Sequence, residues 1–212
     1  MISTFRKYHP SIIVLIRLFL GLIFFTAGMS KLYFEHQFPG IIGPVWLEER
    51  LAEHDLGMYA RFIAGSQIIA GLLLFTQRFA TLGAILCFPI ILNILMVTVS
   101  MKWSGTPYVN AFLLLLNAWL LAFDYHKLKF ILTDSFSEVR KAPIVRKSLK
   151  ADRYWTLAVL VIICSVPVSY VNLQLAWALS ITGVIGVVVN QLISKRIKND
   201  DIQETYTNPD RL

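Results

Sequence analysis

Residues 11–34 read SIIVLIRLFLGLIFFTAGMSKLYF, an apolar run long enough to cross the hydrocarbon core of a bilayer as one helix. Within it Arg17, Gly21, Phe24, Gly28 and Lys31 follow at alternating spacings of four and three, which puts them on a single helical stripe. A charged side chain inside a membrane helix is costly unless it meets a partner or water, and glycines on the same face let another backbone come close. The stretch therefore predicts a bundle of membrane helices with a polar interior, its charged stripe turned toward protein.

The composition agrees. Over 212 residues, 56% are hydrophobic and only 16% charged, and the mean hydropathy is +0.62, too apolar for a soluble domain of this length. The net charge of +7 sits beside apolar spans and forms no soluble basic face, so it reads as membrane orientation and excludes nucleic acid as a partner. The lipid bilayer is the expected partner. Cys87 and Cys164 both fall in apolar spans without a C-x-x-C pair, and read as buried free thiols. The first apolar run keeps its charges and lacks a small-residue cleavage site, so it reads as a retained span.

Taken in order, the chain yields six spans. The first is followed by an acidic loop over residues 35–55, in which Val45 to His54 reads as a short helix on the membrane interface anchored by Trp46. Spans over about residues 56–76 and 79–101 follow, the latter with Pro89 predicting a kink, and a fourth over about 108–123. Residues 131–153 form a basic linker. Residues 154–194 form a transmembrane hairpin turning at Asn172, and residues 195–212 a polar tail expected to be disordered. Basic residues before the first span, at Arg78, in the linker region and in the tail far outnumber Lys31, Arg50, Arg61 and Lys102 on the other side. That asymmetry predicts both termini in the cytoplasm.

Counting helix rise at ~1.5 Å per residue from the span ends sorts the polar residues into layers. Arg17 and Asp124 fall near the inner surface, Gln67, Asn93 and Asn117 near the middle, and Lys31, Arg61 and Asn110 near the outer surface. Arg17 and Asp124 are expected to form an ion pair, because no other acidic residue reaches that depth. Lys31, Arg61, Gln67, Asn93, Asn110 and Asn117 are candidates for lining a polar cavity, although Asn and Gln also serve as packing glue between membrane helices. No metal site and no catalytic residue is indicated. His9, His36, His54 and His126 all fall near ends or in loops, with no pair at haem-ligating spacing.

The run Arg17-Leu-Phe-Leu-Gly21, with Ala27-Gly28-Met29-Ser30-Lys31-Leu32, is one of four matching segments. The others are Gly65-Ser-Gln67-Ile-Ile-Ala-Gly71-Leu-Leu-Leu74, Arg78-Phe-Ala-Thr-Leu-Gly-Ala84, and Asn110 with Leu121-Ala-Phe-Asp124. Their order and spacing over residues 11–130 resemble the DoxX family of small bacterial membrane proteins, whose relatives include DoxD and MauE-type proteins. The resemblance implies an all-α integral membrane protein: a DoxX-like four-helix transmembrane bundle over residues 1–130, to which the C-terminal two-helix hairpin is added. It further implies a bacterial inner-membrane protein serving redox or thiol metabolism, as an accessory or quinone-site subunit without activity in isolation. A quinone between the first, second and fourth helices and redox proteins as partners are the corresponding expectations; no covalently bound cofactor is expected. The chain departs from the family pattern at Gln67, where a glutamate is usual. A small-solute transporter or channel, and a scaffold without chemistry of its own, are the alternative readings.

Overall fold

A computed structural model of the chain describes residues 10–32, 38, 40–42, 47–125, 127–128 and 149–207. Among these there are seven helices and no strand: α1 (Pro10–Leu32), α2 (Leu47–Ala52), α3 (Gly57–Thr76), α4 (Ala80–Ser100), α5 (Thr106–Phe123), α6 (Leu149–Val168) and α7 (Leu173–Thr207). Five are long and apolar enough to cross a membrane, namely α1, α3, α4, α5 and the Leu173–Ile193 part of α7. The apolar part of α6, Arg153–Val168, is shorter. Large apolar side chains such as Leu15, Phe62, Leu115 and Leu157 are exposed, as they are in a chain whose solvent is lipid. The protein is a helical, multi-pass membrane protein.

The chain divides into two compact units, Met1–Arg140 and Lys141–Leu212. In the first, α1 and α3 run antiparallel in close contact, because glycines remove the side chains that would hold them apart. A Cβ built on Gly28 would stand 2.6 Å from the Ala64 carbonyl oxygen, and one on Gly71 2.6 Å from the Phe25 amide nitrogen. Backbone approach of this kind replaces the hydrophobic drive that lipid cannot supply. Leu20, Leu74, Ile91 and Leu120, one from each long helix, are fully buried at the centre with Cys87. Two tight turns return the chain. Gln77 closes α3 in the left-handed conformation (φ 56°), its amide donating to the Leu74 carbonyl, and Gly105 (φ 88°) precedes α5.

The short helix expected in the acidic loop is present as α2. Leu51 of α2 is buried with Ala60 and packs beside Tyr59, Val97, Met101 and Trp103, so α2 covers one end of the bundle. Trp46 belongs to residues 43–46, outside those described, as do residues 129–148 of the linker. Helix α4 continues through Pro89.

In the second unit α6 and α7 form a hairpin whose turn is capped by Asn172, Oδ1 accepting from the Leu175 amide at 3.0 Å. Gly183 packs on Ala158 and Ile162, and Ser180 Oγ donates to Ser165 Oγ at 2.8 Å. Helix α6 begins at Leu149, inside the expected linker, and α7 runs on to Thr207. The disorder expected from Lys195 is thereby corrected through Thr207. Lys, Arg, Gln and Glu are good helix formers, and elongation of an existing helix avoids the cost of nucleation.

Candidate functional site

Two groups of polar residues lie inside the first unit. One is centred on Asp124, which caps the C-terminal end of α5 and is 1% exposed. Arg17 of α1 donates from Nη2 to Asp124 Oδ2 at 2.7 Å, with the arginine side chain only 12% exposed. Thr81 of α4 donates to the same oxygen at 2.8 Å, and Lys127 Nζ reaches Oδ1 at 2.9 Å. Burial pushes the Asp124 carboxyl up, but hydrogen bonds from Lys127 and Thr81 and the charges of Arg17 and Lys127 outweigh it and hold it below the ordinary carboxylate value. A carboxylate that accepts three hydrogen bonds, two of them from cations, is a weak base. It ties α1, α4 and α5 together. Thr81 and Lys127 were not among the sequence candidates; the i+3 spacing from Asp124 was the available signal for Lys127.

The second group surrounds a small cavity of about 40 Å³ near the C-terminal end of α1. Lys31, Gln67, Asn93 and Asn110 line it, each from a different helix, together with Tyr59, Thr98, Trp103 and Thr106, which sequence reasoning missed. The remaining wall is apolar, including Ile23, Phe24, Ile63 and Leu113. Lys31 is 4% exposed, and its Nζ donates to Gln67 Oε1 at 3.0 Å. No acidic partner for it is found among the described residues. The Asn110 Nδ2 is buried with no hydrogen-bond partner. Asn93 Oδ1 accepts from the Tyr59 hydroxyl. A buried ammonium facing a neutral amide, beside an unused amide donor, is a site deficient in acceptors.

Two expected members of this cavity lie elsewhere. Arg61 is exposed on another face of α3, because the six helical steps from it to Gln67 turn the helix to about 120° away. Asn117 is fully buried against α4, its Nδ2 donating to the Ala84 carbonyl at 2.9 Å while its Oδ1 has no partner. The layer scheme also fails for Lys31 and Gln67, which meet directly. Gly28 lies level with Ala64 and Ile68, so helix ends do not share one plane. The lysine side chain tilts back toward the N-terminus of α1 and so leads to Gln67. Cys164 is exposed on α6, not buried. Among the described residues no group of His, Cys, Asp and Glu could hold a metal.

Comparison of the chain with protein-family models, with curated proteins and with solved structures gives no match in any of the three. The site must therefore be read from its own chemistry.

Proposed function

We propose that the protein binds the carbonyl head of a lipophilic quinone at Lys31, Gln67 and Asn110, as a DoxX-like accessory or subunit of a membrane redox system. The observation that carries this reading is the excess of donors: a buried ammonium with one neutral acceptor and an orphaned Asn110 Nδ2 in an apolar wall. A quinone oxygen supplies the missing lone pairs, and the apolar wall suits the edge of its ring. When bound, the quinone would supply two-electron acceptor chemistry to a partner enzyme. The chain's own residues bind and orient it. Lys31 holds positive charge where the bound oxygen gathers negative charge, Gln67 fixes the ammonium, and Asn110 completes the oxygen's hydrogen bonds.

The departure from the family pattern supports the same reading. A glutamate at position 67 would neutralise Lys31, whereas glutamine leaves its charge for a ligand. Buried Leu113 and Leu120 alternate with Asn110, Asn117 and Asp124 on α5, which favours a closed binding site over a continuous solute path. In this proposal α6 completes a six-span topology in a bacterial inner membrane. Both termini are cytoplasmic, on the side of the basic residues.

The test is thermal unfolding of the protein in detergent with a tail-less, water-soluble benzoquinone. Ligand at about 100 times its dissociation constant should stabilise the fold by about 2.7 kcal/mol. Lys31→Met should weaken binding by roughly ten- to a hundredfold, the loss of a charged hydrogen bond of about 1.5–3 kcal/mol. No stabilisation, or the same stabilisation in Lys31→Met, sinks the proposal.

A further inference from the structure

The inner cavity is too small for a whole ring. At about 40 Å³ it is far below the ~300 Å³ at which small-molecule pockets begin, so it accommodates only the polar edge of a head group. A second hollow of about 370 Å³ lies between α3 and α4, lined by Phe62, Ile69, Leu86 and Pro89. Ile63 and Asn93 line both. Phe62, Ile69 and Leu86 are exposed on the outer surface of the bundle, where a membrane helix meets lipid.

We infer that the head-group cavity opens sideways into this groove, so that the ligand enters from the bilayer between α3 and α4 and keeps its apolar body there, with Asn93 at the threshold. The inference rests on the carbonyl-binding reading of the inner site. Three observations carry it. Asn93 is a polar side chain on an otherwise lipid-facing stretch of α4; its Oδ1 is held by Tyr59, and its Nδ2 has no partner among the described residues. In hydrocarbon an unused amide donor is costly, so its placement fits a ligand oxygen passing or resting there. The groove is otherwise apolar in function, since its Ser66 hydroxyl is already spent on the Phe62 carbonyl at 2.8 Å. Finally, Ile63 of α3 and Asn93 of α4 line both hollows, so the two are separated by no more than those side chains, whereas Leu51 and Trp103 pack together at the end beside α2.

This arrangement selects one kind of occupant, a slender apolar molecule with an oxygen-bearing head. Moving an apolar tail from lipid into the groove brings no hydrophobic gain, because lipid is already as apolar as the wall. The groove therefore governs which shapes enter, and the inner donors govern affinity.

The experiment uses the full-length protein in lipid nanodiscs and a benzoquinone carrying a diazirine on a short alkyl chain. After irradiation, label should map to residues 62–69 and 86–93 and be displaced by unlabelled quinone. Leu86→Trp should abolish that labelling and, because the ring exceeds the inner cavity, also weaken the thermal stabilisation by tail-less benzoquinone, with the unliganded protein as stable as before; Ser66→Leu serves as the second groove-filling variant. Label on the surface of α1 or α5, with stabilisation by the tail-less quinone intact and dependent on Lys31, overturns the lateral opening and leaves the head site standing. Labelling of the groove that unlabelled quinone does not displace also overturns it, marking a surface filled by lipid or covered by protein. Failure of the tail-less quinone to stabilise the protein removes the head site, and this inference with it.

Discussion

The two ends of the first unit hold the same kind of expensive object, a buried charge, and treat it in opposite ways. At the Asp124 end one carboxylate receives donors from Arg17, Thr81 and Lys127, drawn from three parts of the chain. At the Lys31 end, among the described residues, one ammonium finds a single neutral acceptor, and a neighbouring amide nitrogen finds none. A satisfied charge is a fastener, because any rearrangement would strand it. An unsatisfied charge is a site, because a visiting group can lower its free energy. The comparison thus separates structure from function within one bundle, and it can be broken by substitutions at either end.

The largest effect is expected for Asp124→Ala. It would leave Arg17 buried without its partner, which costs about 3–5 kcal/mol. Unfolding in detergent should show a loss of that order, and the double variant Arg17→Met with Asp124→Leu should recover most of it, since an apolar pair of similar size replaces a buried ion pair well. A double variant no more stable than the single one would mean that the two residues act separately.

Acid should expose the same fastener. Asp124 has its folded pKa below the ordinary value of 3.8, so its contribution to stability is fully present above that value and is lost as pH falls through the lower, folded one. Stability followed downward from neutral pH should fall in the strongly acidic range, and Asp124→Asn should remove this component of the slope. An unchanged slope in Asp124→Asn would assign the acid loss to other carboxylates.

At the other end the sign should reverse. Lys31→Met removes a buried ammonium whose only partner among the described residues is a neutral amide, so the unliganded protein should be unchanged or more stable by about 1 kcal/mol, the lower end of gains seen when buried charges become apolar. The readout is unfolding in detergent without ligand. A loss as large as that of Asp124→Ala would make Lys31 a second fastener and erase the contrast between the ends.

How much of this could be read in the chain depends on what fixes each feature. Span positions are set by unbroken apolar runs, and the apolar stretches of α1, α3, α4, α5 and α7 are visible in the sequence for that reason. The meeting of Arg17 and Asp124 was legible because charges inside a membrane are scarce and only one acid lay at the right depth. The cavity was legible only in part. Gln67, Asn93, Asn110 and Lys31 converge, but the scheme that grouped them used depth alone and ignored rotation, which at about 100° per residue carries Arg61 away from Gln67. Tyr59 and Thr98 carry no sequence signal, since an aromatic or a threonine near a helix end is ordinary. The register of α1 against α3 depends on how closely Gly28 and Gly71 let two backbones approach, and no count from helix ends contains that.

The smallest and most discriminating prediction compares two asparagines seven residues apart on the inner face of α5. Asn117 spends its Nδ2 on the Ala84 carbonyl of α4, a hydrogen bond between helices buried from solvent. Asn110 has no such bond for its Nδ2, which points to a donor kept for something outside the chain. Replacement by leucine should therefore separate them. Asn117→Leu should destabilise the unliganded protein by about 0.5–1 kcal/mol, the usual value of one interhelical hydrogen bond in a membrane. Asn110→Leu should cost nothing in the unliganded protein, because an unpaired buried polar group is removed, while weakening quinone binding by several-fold, on the order of 1 kcal/mol for one neutral hydrogen bond. Both are read from the same pair of unfolding curves, with and without tail-less benzoquinone. Equal losses at the two positions in the unliganded protein would mean that both asparagines are packing glue, and the distinction between a fastened end and a receptive one would then rest on Lys31 alone.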